Sequence, residues 1–159
     1  MSVTVEVRTV DPGSDEHVAA AWDLKERIND REGVLKQRRD FFENAYRRST
    51  VYCCVASGSR LVGFAAVRRD GYILFLAVDP DWRSQGIGRL LVGQVAEDQR
   101  SVTCHARTSN ENALQFYEHL GFDITRRIDG YYEDGGDAYY LKLGEDTGIA
   151  DRISDLVGR

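Results

Sequence analysis

The 159-residue chain is poor in several things, and each shortage narrows what it can be. Cysteine occurs only three times, an odd number with no spacing that suits a metal. Cys53 and Cys54 are neighbours in an expected strand and point to opposite faces, which does not suit a disulfide. All three are therefore read as reduced thiols of an intracellular, cytoplasmic protein. Positive charge is in deficit: 21 Lys and Arg against 26 Asp and Glu leave a net charge of −5. That balance excludes nucleic acid as an expected partner, because phosphate binding needs a basic excess. Lysine is the scarcer cation; only Lys25, Lys36 and Lys142 are present, a bias that suggests a high-GC or salt-adapted host. No apolar run reaches the length of a membrane span, and no basic segment followed by an apolar core marks a signal peptide. No membrane partner is expected. Repeats and low-complexity linkers are missing too.

What is present reads as one α/β domain over residues 1–144 with a tail over 145–159. The chain is 42% apolar and 30% charged, ordinary for a soluble domain with room for a core. Val3, Val5 and Val7 alternate with polar residues and predict a first strand ending near Val10. Asp11-Pro12-Gly13 stops it, and Ser14 or Asp15 can cap a helix carrying Val18, Ala21 and Trp22. A break is expected over Asn29 to Gly33, then a second helix from Val34 through Tyr46. Strands are predicted over Val51 to Ala56, Leu61 to Val67 and Tyr72 to Val78, with turns short enough for antiparallel hairpins. A helix from Gly86 to about Arg100, a strand over Val102 to Arg107 and a helix over Asn110 to His119 follow. Phe122 to Ile128 and Ala138 to Leu143 complete the sheet, with a tyrosine-bearing acidic loop over Gly130 to Asp137 between them. In the tail, Ile149, Ile153, Leu156 and Val157 recur at helical spacing, as in a docked helix or in a contact that a homodimer would use.

The most informative stretch runs from Leu76 to Leu91. A strand ends at Asp79-Pro80, a turn follows, and Ile87, Leu90, Leu91 and Val95 then recur at helical spacing. The turn holds Arg83, Gly86 and Gly88 as Arg-x-x-Gly-x-Gly. Glycines at a first helical turn let the backbone come close to a ligand. The unpaired N–H groups there, with the helix dipole, suit a pyrophosphate. A dinucleotide fingerprint would need a third glycine and a Walker loop a Gly-Lys-Ser/Thr, and neither is present.

This stretch resembles the acetyl-CoA loop of the GCN5-related N-acetyltransferases, Gln/Arg-x-x-Gly-x-Gly/Ala after a strand ending in Val-x-Pro. A second signature of that family, Asn-x-x-Ala-x-x-x-Tyr-x-x-x-Gly-Phe, resembles Asn110 to Phe122. The likeness covers roughly Val51 to Leu143. It implies a mixed, mostly antiparallel sheet of six to seven strands, flanked by helices and splayed between its fourth and fifth strands. Acetyl-CoA is the implied co-substrate, with no metal. The backbone of Leu76, Ala77 and Val78 would pair with its pantetheine arm. The amides of Arg83, Ser84, Gln85, Gly86, Ile87, Gly88 and Arg89 would hold its pyrophosphate. Asn110 would hydrogen-bond the cofactor, and Tyr117 would stand near its sulfur as general acid.

A narrower likeness concerns the acceptor. Cys104 to Asn110 resembles the Leu-Glu/His-Val-Arg/Gln-x-Ser-Asn strand of protein N-terminal acetyltransferases, the ribosomal-protein alanine and NatE-like enzymes. Their general base falls on His105 and a catalytic tyrosine on Tyr72, while Tyr131 and Tyr132 fall in their substrate loop. Acyl transfer to an amine needs the amine neutral, and histidine titrates in the right range to take its proton. The implied acceptor is a protein or peptide N-terminus. A small amine such as a polyamine, amino acid or antibiotic is the alternative, and a non-catalytic acetyl-CoA-binding regulatory module is the second. One departure stands out: the Pro-x-x-Tyr-like segment usual between the first two helices of those enzymes is replaced by Asn29 to Leu35, with neither residue.

Overall fold

The computed structural model describes residues 4–33 and 35–144. Chain order is β1 (Val5–Val10), α1 (Val18–Glu32), α2 (Arg39–Arg48), β2 (Thr50–Ala56), β3 (Arg60–Val67), β4 (Ile73–Val78), α3 (Ile87–Asp98), β5 (Val102–Arg107), α4 (Glu111–His119), β6 (Asp123–Ile128) and β7 (Ala138–Leu143). A 3-10 turn at Pro80–Trp82 leads into α3. The strands make two antiparallel sheets, β1-β2-β3-β4 and β5-β7-β6. One parallel bridge, Tyr72 to Thr103, is the pairing that joins them among the described residues.

Two cores lie on opposite faces of the four-stranded sheet. On one face α1 and α2 bury Ala21, Leu24, Ile28 and Phe42 against Val51, Cys53, Phe64 and Phe75. Phe42 is fully buried, with its ring between 4.8 and 6.1 Å from those of Trp22, Tyr46, Phe64 and Phe75. Cutting such a ring to alanine typically costs about 3–5 kcal/mol. On the other face α3 and α4 pack Ile87, Leu91, Val95 and Tyr117 against Cys54, Val62 and Ala65, continuous with Cys104 and Leu141 of the second sheet. The alternation of β2 thus places Cys53 in one core and Cys54 in the other, and both thiols are free.

The parting of the two sheets has a local cause. The Gly71 carbonyl accepts from Thr103 N–H at 3.1 Å, and a Cβ on Gly71 would lie 2.2 Å from the Ser101 carbonyl oxygen. Only glycine lets the chains meet there. Beyond that point β4 pairs, among the described residues, with β3 alone, Leu76 opposite Ala65 and Val78 opposite Gly63, which leaves its other edge unpaired there.

Four expectations are corrected. Neither Ser14 nor Asp15 caps α1; His17 occupies that position in a left-handed conformation, while the Asp15 carboxylate pairs with Arg47 and Ser14 accepts from the Glu16 N–H. Helix α1 runs through the expected break, since Ile28 is drawn into the core, and stops at Gly33. Helix α2 starts at Arg39 rather than Val34, because Leu35 sits at φ 58, outside helical geometry. Tyr72 precedes β4 and serves as the bridge instead. The expected tail helix lies outside the described residues.

Candidate active site

The parted strands open a cleft of about 1340 Å³. Its walls come from the α1–α2 connection, β4, the turn before α3, β5, α4 and the β6–β7 loop. The turn that leads into residues 83–89 is fixed at Asp79. Its buried carboxylate accepts from the Asp81 N–H at 3.0 Å, from Arg27 of α1 at 2.9 Å and from Arg60 at 3.4 Å. Those contacts outweigh the cost of burying the charge and hold the Asp79 carboxyl below its usual range. Arg83 turns back onto α1, both Glu32 oxygens lying 2.6 Å from its Nη1, so its charge is already paired.

The two glycines of the loop have different reasons. Gly86 ends the turn at φ 80, a left-handed conformation, and a Cβ there would meet nothing within 4 Å. The open space belongs to the cleft. Gly88 lies inside α3, where a Cβ would come within 2.8 Å of the Phe116 ring, so its absence of side chain serves helix packing. No side chain caps the first turn of α3, which leaves its leading N–H groups for a ligand. Asn110 is engaged as the cap of α4, its Oδ1 accepting from Ala113 N–H at 3.2 Å; its NH2 group is the part that could serve a cofactor.

Beyond the parting, His105 gathers the aromatic residues. Its Nδ1 is 2.5 Å from the Tyr72 hydroxyl and 3.4 Å from that of Tyr131, whose ring stacks on the imidazole at 4.3 Å and 13°. Tyr140 closes a third side at 4.9 Å. Burial, then the charges of Arg126 and Arg68, hold the His105 pKa below its ordinary 6.5. The imidazole is therefore neutral at physiological pH. Burial raises the Tyr72 phenol far above the ordinary tyrosine range, with a hydrogen bond to Tyr131 adding to it, so Tyr72 stays a donor.

Tyr117 sits on the other face of β5. Its ring packs edge-on against Phe116 and Phe122, and burial drives its phenol well above 10, assisted by Cys104. Burial likewise pushes the Cys104 thiol up to about 12, so it is no nucleophile at neutral pH. Tyr132 lies under the Arg107 guanidinium at 4.0 Å and edge-on to Tyr131 at 5.0 Å. The structure thus brings Tyr72, His105 and Tyr131 together, and sets Tyr132 one contact away.

Several lining residues escape sequence reasoning. Asp134 accepts from Arg107 at 3.0 Å and from Lys36 at 3.1 Å, so the α1–α2 connection is clasped to the β6–β7 loop across the cleft. Phe41 is 55% exposed and Tyr131 44%, two large apolar surfaces facing the same opening. No local pattern marks Lys36, Phe41 or Asp134, which folding alone brings to the cleft, whereas Tyr131 is named by the substrate-loop likeness. Among the described residues no group of three or more His, Cys, Asp or Glu is arranged to hold a metal ion. No helix of the described chain is long and apolar enough to cross a membrane.

Two parted sheets with an uncapped helix start beside the gap make the site, and comparison with known proteins gives its family. The Acetyltransferase (GNAT) domain family matches residues 48–124. The peptidyl-lysine N-acetyltransferase YjaB of Salmonella typhimurium is 30% identical over 114 residues, which cover 64% of this chain and 77% of that protein. The chain belongs to the GNAT acetyltransferase family. It is also 42% identical over 80 residues to human N-alpha-acetyltransferase 30, matching 47% of this chain but only 22% of that longer protein. It spans less than a third of the length of the N-alpha-acetyltransferase 30 relatives it matches. The ribosomal-protein-S18-alanine N-acetyltransferase of Escherichia coli shares the fold, with a TM-score of 0.73 at 23% identity over 88% of this chain and 93% of that one.

Proposed function

We propose that the protein is an acetyl-CoA-dependent N-acetyltransferase whose acceptor is the α-amine of a protein or peptide N-terminus. The reading is carried by the convergence of Tyr72 and Tyr131 on a neutral His105 at the gap, with Tyr117 on the opposite face of β5. The chain fits acetyl-CoA: β4 offers an unpaired edge, α3 an uncapped first turn, and Gly86 open space beside it. Once Lys36 and Arg107 are paired with Asp134 and Arg83 with Glu32, Arg38 and Arg89 against Glu133 leave the cleft lining with a small positive excess, which suits an anionic ligand.

Bound there, acetyl-CoA would supply the acyl group as a thioester. The Tyr72 oxygen takes the amine proton as its own proton passes to His105 Nδ1 and the nitrogen bonds to the acyl carbon. Tyr117, kept protonated by burial, gives its phenolic proton to the sulfur as the carbon–sulfur bond breaks. An α-amine titrates near 8 and a lysine amine near 10.4, so a weak base such as His105 suits the former better.

Polyamines are disfavoured on charge. Glu32 and Asp134, two of the three carboxylates lining the cleft, are already paired with Arg83, Arg107 and Lys36. The name of human N-alpha-acetyltransferase 30 supports the α-amine reading, and that of the Salmonella protein supports a peptide lysine instead. A screen with acetyl-CoA decides: peptides with free N-termini, N-blocked peptides bearing lysine, and small amines. Transfer to small amines alone would remove the peptide reading, and preference for the N-blocked lysine peptides would reverse it.

A further inference from the structure

Lys25 of α1 is 1% exposed, yet no buried carboxylate among the described residues answers it. Glu26, its ion-pair partner, lies 3.6 Å away and is 39% exposed. Instead the Lys25 ammonium lies 4.4 Å from the Trp22 ring centre and donates to the main-chain carbonyl of Gln37. Trp22 also meets Phe42 at 5.6 Å and Arg39, the first residue of α2, at 5.6 Å. All of these contacts converge on the junction where the chain enters α2.

That junction forms a wall of the cleft. Leu35, Lys36, Gln37 and Arg38 line it, and Lys36 reaches across to Asp134 on the far side. Leu35 is held at φ 58, which a side-chain-bearing residue adopts at a cost of order 1 kcal/mol. Such a conformation persists only where the surroundings enforce it. A buried cation with a half-exposed partner is a poor way to stabilise a fold, since an apolar side chain of similar length often does as well or better. A buried donor aimed at one carbonyl is a good way to fix a segment in place.

We infer that Lys25 is a positioning residue for the acceptor. Its ammonium holds the Gln37 carbonyl and so sets residues 35–38 against the cleft, without touching either substrate. The inference rests on the reading of this cleft as an acetyl-transfer site with the amine entering beside the α1–α2 connection.

The test compares Lys25→Met with the wild type in steady-state assays with acetyl-CoA and a short peptide bearing a free N-terminus. Hydrogen–deuterium exchange of residues 35–38 is followed alongside. The acceptor KM is expected to rise at least about tenfold, equal to about 1.4 kcal/mol. The acetyl-CoA KM should stay within about twofold, the melting temperature level or higher, and exchange at 35–38 should quicken while α3 is unchanged. An unchanged acceptor KM overturns the inference, whatever exchange shows. Early melting with both KM values altered together overturns it as well, since that is a plain packing role. Should Lys25→Met fail to accumulate, Lys25→Gln, a shorter uncharged donor, must give an acceptor KM above the wild-type value, and a wild-type value overturns the inference. If the wild type modifies spermidine but no peptide, the peptide reading falls, and the same KM comparison made with spermidine decides Lys25 independently.

Discussion

The two halves of the cleft are built on different plans. On the proposed reading, most of the donor half is contiguous in sequence, from Leu76 to Arg89, and relies on main chain (a strand edge, a left-handed glycine and the first N–H groups of a helix), with Asn110 and Tyr117 added from the α4 region. The acceptor half is assembled from side chains far apart in sequence, Leu35, Tyr72, His105, Tyr131 and Asp134, held by stacking, hydrogen bonds and ion pairs. A surface made of backbone is insensitive to which side chains surround it, and it suits a ligand that does not vary. One made of side chains can be retuned residue by residue.

Removing the chemistry that both halves serve should have the largest effect. Tyr117→Phe keeps the ring and its edge contacts but removes the proton, and turnover should fall roughly 10²-fold with little change in melting temperature. A variant with normal turnover per folded molecule would make the phenol structural. His105→Ala should cost a similar factor in kcat/KM. Because burial and two arginines hold the His105 pKa down, and the base must be neutral, the acidic limb of the wild type should lie below the ordinary histidine value of 6.5. That limb should disappear in His105→Ala; a profile of unchanged shape would take the histidine out of the mechanism. The same displacement acts on stability with a definite sign. The unfolded chain binds this proton more readily than the folded one, so stability contributed by neutral His105 declines as pH falls through about 6.5. Melting followed from about pH 7.5 to 5 in wild type and His105→Ala isolates it.

Smaller effects sharpen the contrast between the halves. Gly86→Val combines a strained φ with a side chain in the ligand's space, and acetyl-CoA affinity by calorimetry should drop about tenfold or more. Gly88→Ala should instead press on the Phe116 ring and cost about 1–3 kcal/mol of stability, leaving affinity per folded molecule intact. Equal losses of affinity in both would erase the distinction drawn between them. Lys36→Met removes a half-exposed pair with Asp134; acceptor KM should change by about twofold and melting hardly at all. A tenfold change there would show that the clasp, and not the wall beneath it, controls the acceptor.

The fold is legible in the sequence where apolar runs are bounded by turn residues, both faces of β2 and β3 being buried. Thr50–Ala56, Arg60–Val67 and Ala138–Leu143 lie within a residue of where the apolar runs place them. Local signals mislead at α1. Ser14 and Asp15 look like caps, but Arg47 from α2 claims the Asp15 carboxylate, a partner that only the tertiary fold supplies. Asn29 and Asp30 look like a break, but burial of Ile28 outweighs their modest preference against helix. In the site, Arg83, Gly86 and Gly88 are visible as a spaced pattern, while the functions of the two glycines separate only when Phe116 is seen against Gly88. Tyr72 and His105 can be singled out by resemblance, yet nothing in the sequence says that their polar atoms meet. Lys25 carries no signal at all. On its helix it reads as one more surface charge, and only the turn of the chain at residues 35–38 encloses it.

The adjacent thiols of β2 give the molecule a pair of internal clocks. Cys53 and Cys54 differ by one position in the chain but answer to different cores, and burial lifts both thiols to about 11. Neither can react until its own side of the sheet opens. Cys53 is released only when α1 and α2 lift away, Cys54 only when the α3 side does. The order in which a thiol reagent labels them therefore times the loosening of the α1–α2 layer against that of the α3 layer, in the unaltered protein and with no probe attached.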